Sequence, residues 1–166
     1  PNISNFSGCT FKKMAVFSGI TFTGPTQFDE ITFEGEVFFD EAIFEQKVIF
    51  YETDFWKNVN FGNTSFKKLA DFWSVHFYQP TDFYKTRFME TVVFTDAIFE
   101  YNATFTFAHL GNMLFRQAKF NGKLDLSLAA NIDWSGNFFD IHRSFVVSKD
   151  EKVSFKTQRQ TFHNIK

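Results

Sequence analysis

Four histidines, His76, His109, His142 and His163, are the side chains best able to relay a proton or ligate a metal. Both tasks need side chains that converge. These four are scattered, with His76 and His109 standing 33 residues apart. Cys9 is the only cysteine, which excludes an intramolecular disulfide and a CxxC metal pair. No phosphate-binding glycine loop, HExxH or GxSxG motif occurs. The residues therefore point away from catalysis, from a cofactor and from a metal. Two clusters point to binding instead. Asp29, Glu30, Glu34, Glu36, Asp40, Glu41, Glu45, Glu52 and Asp54 face Lys47 alone. Farther on, Tyr51, Trp56, Trp73, Tyr78 and Tyr84 gather within a short span, with Lys57 and Lys85 nearby.

What must position these residues is visible in the composition. Phenylalanine supplies 28 of 166 residues, whereas ordinary cores mix several apolar types. One dominant apolar residue implies one packing environment copied many times. The length suits one domain with a real core. A net charge of -2 argues against direct nucleic-acid binding. No apolar run approaches the roughly 18 residues that a membrane span needs. No charged-then-apolar leader opens the chain, so a cytoplasmic location is the expectation.

Two phenylalanine series interleave, each with a period of eleven. One runs from Phe6 through Phe17, Phe28 and onward to Phe105; the other runs from Phe11 through Phe22 and onward to Phe99, then Leu110. The resulting spacing of five, then six, fits neither a helix nor a single long strand. Two residues before each ring stands a small or β-branched residue, such as Ala15, Val37, Val48, Ala70 or Thr81. Positions two apart on an extended segment share a face. Each unit thus sends one small residue and one ring inward, and Cys9 at such a position reads as a buried space-filler. The remaining positions are mostly polar.

Stretches such as "ATFTF", "AIFEQ", "ADFWS" and "TDFYK" repeat small residue, polar residue, phenylalanine, then two polar residues. Over residues 2–126 the chain resembles the pentapeptide-repeat proteins, specifically Phe-rich bacterial members with alternating spacing. The resemblance implies an all-β fold, a right-handed quadrilateral β-helix with one unit per side. Every second unit carries an extra residue, Met14, Pro25, Glu36 and their successors, expected to bulge at a corner. Four units then make a coil of about 22 residues, coils stack about 4.8 Å apart, and residue n lies under residue n+22. The period slips after Phe105, because Phe115 arrives one residue early. Residues 1–126 read as the repeat domain. Residues 127–166 read as an imperfect final coil, including Trp134, Phe139 and Phe145, and a small C-terminal cap in which Ser154 would start a short helix. That end resembles the start of a helical extension, so the chain reads as part of something longer.

The 22-residue coil sorts the candidate residues. His76 and His109 fall on opposite sides and read as solvated surface residues. The acids form a belt around several sides, which weakens a DNA-mimicking reading, since duplex charge runs along an axis. Thr10 and Thr32 share a side but Thr21 does not, so no ice-matching array forms. Tyr51 stacks under Trp73, and Trp56 under Tyr78, giving a two-by-two aromatic block expected around one corner, with Tyr84 on the next side. Exposed aromatic patches of this size mark interfaces. The expected function is a non-enzymatic rigid scaffold for a protein partner. The resemblance supplies two alternatives, a gyrase-protecting DNA mimic and a regulatory or assembly domain of a membrane-associated protein. It also implies end-to-end homodimers through terminal caps.

Overall fold

The computed structural model describes residues 2–130, 139–141 and 144–147, the last two as backbone strands. The chain winds into a four-sided parallel β-solenoid, with strands of mostly two residues stacked into sheets of six, seven, seven and five strands. The first side stacks Ser4–Asn5, Thr26–Gln27, Val48–Ile49, Ala70–Asp71, Val92–Val93 and Met113–Leu114. The second stacks Thr10–Phe11, Thr32–Phe33, Asp54–Phe55, His76–Phe77, Ile98–Phe99, Ala118–Phe120 and Phe139–Ile141. The third runs from Ala15–Val16 through Thr81–Asp82 to Lys123–Leu126 and Ser144–Val147. The fourth runs from Thr21–Phe22 through Ser65–Phe66 and Arg87–Phe88 to His109–Leu110. The expected register holds: Ser4 pairs with Thr26, Asp54 with His76, and Ser65 with Arg87.

Four ladders of rings fill the interior. Phe28, Phe50, Phe72 and Phe94 stack with centroids 5.1, 4.8 and 4.9 Å apart and planes within 13° of parallel. Rings of the first and third sides meet edge to face across the centre, as Phe50 does with Phe61 at 5.7 Å and 84°. Both arrangements suit the aromatic quadrupole. Where threonine takes the small inward place, its hydroxyl still finds a partner. Thr64 and Thr86 each donate to a carbonyl one coil back, those of Phe39 and Phe61, at 2.7 Å, so no buried hydroxyl there is left unpaired.

Two kinds of corner alternate. The extra residue lies in the three-residue corners, immediately before the strand, as Met14 precedes Ala15–Val16 and Glu36 precedes Val37–Phe38. The other corners are tight turns such as Phe39 to Ala42, closed by Ala42 N–H donating to the Phe39 carbonyl at 2.9 Å. The second turn residue takes a positive φ, which is the requirement of a type II turn. Gly8 and Gly19 fill it first; afterwards ten non-glycine residues do, with φ from 52° to 60°. The slip in period is a shortened wide corner. Gly111 and Asn112 span what Met89, Glu90 and Thr91 span one coil earlier, so Val92 pairs with Met113 rather than a residue 22 on. Gly111 permits this, because a Cβ there would come within 2.4 Å of the Glu90 carbonyl oxygen.

Cys9 corrects an expectation. It occupies an inward position yet is exposed. The first described coil is stacked on one face only, so its inward residues lie at an open end, and Ile20 is likewise exposed. One coil on, Ile31 is buried. The expected helix at Ser154, together with Trp134, His142 and His163, lies outside the described residues.

Two outcomes test this architecture. Phe72→Asp places a charge inside a ladder, where no partner compensates its lost hydration; we expect no cooperative melting transition, and a transition near that of the native chain would show the ladder assignment to be wrong. Glu30→Gly relieves a left-handed residue, worth about 1–2 kcal/mol, against about 0.4–1 kcal/mol of added chain entropy in the unfolded state. Denaturant unfolding should show a net gain of about 0.5–1 kcal/mol, and a loss would contradict the turn geometry.

Candidate protein-binding face

The second side carries the aromatic residues at both its edges. Tyr51 and Trp73 lie on the tight turns that enter Asp54–Phe55 and His76–Phe77; Trp56 and Tyr78 follow those strands directly. Each pair stacks as the coil register requires, with centroids 5.5 Å apart for Tyr51 and Trp73 and 5.4 Å for Trp56 and Tyr78. The four residues do not surround one corner. They flank one flat side, with Asp54 and His76 between them. The reason is that the residue after a first-series ring opens a tight turn, whereas the residue after a second-series ring opens the next wide corner. Trp56 and Trp73 remain 51% and 45% exposed.

Neighbouring polar groups hold these rings in place. Asp71 accepts the Trp73 backbone N–H at 3.0 Å, and the Trp73 indole N–H donates to Asp96 at 3.0 Å. The Tyr51 hydroxyl donates to Glu52, and this contact raises the tyrosine pKa above its ordinary value. His76 stacks on Tyr78 with centroids 3.7 Å apart, and its Nε2 lies 3.0 Å from a Glu100 oxygen. The other Glu100 oxygen accepts from Asn121 at 2.7 Å, and that bond first, then His76, holds the carboxyl below its usual range. Burial pushes the Asp54 carboxyl up, opposed by His76. Burial also raises the Tyr78 hydroxyl, with Asp54 and Glu100 adding to it.

The result is a shelf of fixed rings bordered by Glu52, Asp54, Asp96 and Glu100. Aromatic faces with carboxylates alongside favour cations, through cation–π attraction and ion pairing together. No group of three or more metal-binding side chains converges among the described residues.

Tyr84 does not join the shelf. It sits on the tight turn between the third and fourth sides, edge-on to Phe107 at 5.9 Å, with the Lys85 ammonium 5.0 Å from its ring. His76 was read as a solvated residue, and the structure makes it part of the shelf. The signal was present in the register, because His76 is one coil above Asp54 and two residues before Tyr78. His109 does lie on the opposite side, in His109–Leu110.

Residues 17–65, 28–76 and 61–109 match the family model described as pentapeptide repeats in nine copies. No curated protein and no solved structure matches the chain. The ring ladders, the four sheets of two-residue strands and a family match extending from residue 17 to residue 109, more than half the sequence, agree: this chain belongs to the pentapeptide-repeat family.

Proposed function

We propose that the protein is a non-enzymatic scaffold whose second side binds a cationic segment of a protein partner. The observation that carries this reading is the pair of stacked aromatics at each edge of one flat strip, held by a border of carboxylates. Tyr and Trp anchor interfaces because they bury large areas with little loss of side-chain freedom. Here the indole and ring orientations are already fixed by Asp96 and by stacking on the next coil, so binding orders little that is not ordered beforehand. The acids select against anionic partners and draw cationic ones.

The double substitution Trp56→Ser with Trp73→Ser removes the two most exposed rings of the shelf and no interior residue. The variant loses the Trp73–Asp96 hydrogen bond and two ring pairs but no ladder contact, a cost of about 1–3 kcal/mol, so cooperative melting should persist at a lowered midpoint. Affinity capture from the source cell's lysate, read by mass spectrometry, should then lose a protein that the native chain retains. Identical captured sets from both forms would remove the second side as the interface, and failure of the double variant to fold would overturn its outward placement.

A further inference from the structure

The opposite side carries a second surface with the reverse chemistry. A groove of about 570 Å³ runs over the fourth side, lined among others by Glu41, Ser65, Lys85, Arg87, Phe107 and His109. Arg87 and His109 are vertical neighbours in the sheet, paired across adjacent coils. Lys85 stands on the turn just before Arg87 and inclines toward the Tyr84 ring. Neither Lys85 nor Arg87 forms an ion pair among the described residues. Among the described residues, Glu41 is the only acid in the lining.

Phe107 lines this groove, Leu128 lies one coil beyond it in the same column of turns, and both sit where the backbone disfavours them. Among the described residues, ten that are not glycine hold positive φ. Eight of them are polar: Glu30, Glu41, Glu52, Asn63, Ser74, Lys85, Asp96 and Gln117. Phe107 and Leu128, both at φ 57°, are the exceptions. A bulky residue is a poor choice for a left-handed conformation. Burial could compensate, but Phe107 is 49% and Leu128 51% exposed. The two follow Lys85 along one column of turns, one coil apart each. Their turns are regular, closed by Ala108 N–H to the Phe105 carbonyl at 3.0 Å and Ala129 N–H to the Leu126 carbonyl at 3.1 Å. Phe107 meets the Tyr84 ring edge-on at 5.9 Å, yet both side chains keep about half their surface open while holding a disfavoured φ. Strain that burial offsets only in part points to a role outside the chain.

We infer that the fourth side is a docking surface for an acidic partner segment with an apolar anchor, the anchor resting on Phe107 and Leu128 and the acids on Lys85 and Arg87. Charge complementarity selects that occupant: the groove presents cations with one acid, and the apolar rim supplies what a simple anion would not use. This surface is independent of the aromatic shelf, which lies across the solenoid and favours the opposite charge.

The test uses the full chain and a fluorescein-labelled decapeptide of alternating glutamate and leucine, read by fluorescence anisotropy. A lysine–leucine decapeptide and a labelled 20-nucleotide thymidine strand serve as comparators. The glutamate peptide should bind best, and added salt should weaken it. Lys85→Asn with Arg87→Ser installs the residues already present one coil earlier, Asn63 and Ser65, so the fold accepts them. It should weaken binding about tenfold. Phe107→Gly should weaken binding while raising the melting midpoint, a combination that a merely structural role would not produce. Trp56→Ser with Trp73→Ser should leave this binding unchanged. Equal binding by the substituted chains, preference for the lysine peptide or the nucleotide strand, or loss of binding in the tryptophan double variant would each overturn the inference.

Discussion

Two parallel phenylalanine rings stacked with an offset have a centroid separation close to one step between neighbouring parallel strands. Strands in a sheet lie about 4.7–4.9 Å apart, and the ladder rings between Phe28 and Phe94 lie 4.8 to 5.1 Å apart. The match lets every coil add one ring per side without tilting the backbone. It also explains why the large inward position is nearly always phenylalanine. The 28 phenylalanines contrast with four tyrosines, and all four tyrosines, Tyr51, Tyr78, Tyr84 and Tyr101, take outward positions. A tyrosine in a ladder would carry a hydroxyl into an interior already filled by other rings, with no room to satisfy it.

Because the ladders fix the inward residues, the backbone at the corners has little choice. A tight turn must return the chain within four residues, and this forces its second residue into the left-handed region. Glutamate, asparagine, serine and aspartate are held there although glycine would fit with less strain. Stacking on both neighbouring coils over-determines the turn, so many small strains are carried collectively. The wide corners are looser, and a single residue can be removed from one of them, at Gly111 and Asn112, with the sheets continuing in a shifted register.

Much of this was legible in the sequence, because the inward pattern involves only spacing two, five and six. The register followed, and with it the vertical pairs Tyr51 with Trp73 and Trp56 with Tyr78. The burial of Cys9 was misread because periodicity describes a coil stacked on both faces, and the first described coil is not. The four aromatics read as surrounding one corner because order along the chain resembles neighbourhood, whereas a tight turn and a wide corner send successive aromatics to different edges of one side. The involvement of His76 required combining two directions at once, up the column from Asp54 and along the strand to Tyr78. Phe107 and Leu128 were invisible as exceptions, since their significance lies in a dihedral angle that no spacing encodes.

A solenoid of this kind separates what holds it together from what it shows to others. Inward residues are constrained by the ladder, so they carry little information about partners. Outward residues are weakly constrained, so an exposed threonine or glutamate carries little either. The informative positions are those where an outward choice works against the fold. By that measure the two sides differ. The rings of the second side are compatible with the strand surfaces they adjoin and could serve the fold as cross-strand pairs. Phe107 meets Tyr84 edge-on, but it and Leu128 stay about half exposed on turns that hold them in a disfavoured conformation. An exposed side chain held in a disfavoured conformation therefore points to an external partner more directly than a ring that also serves the strand surface, however large the aromatic shelf.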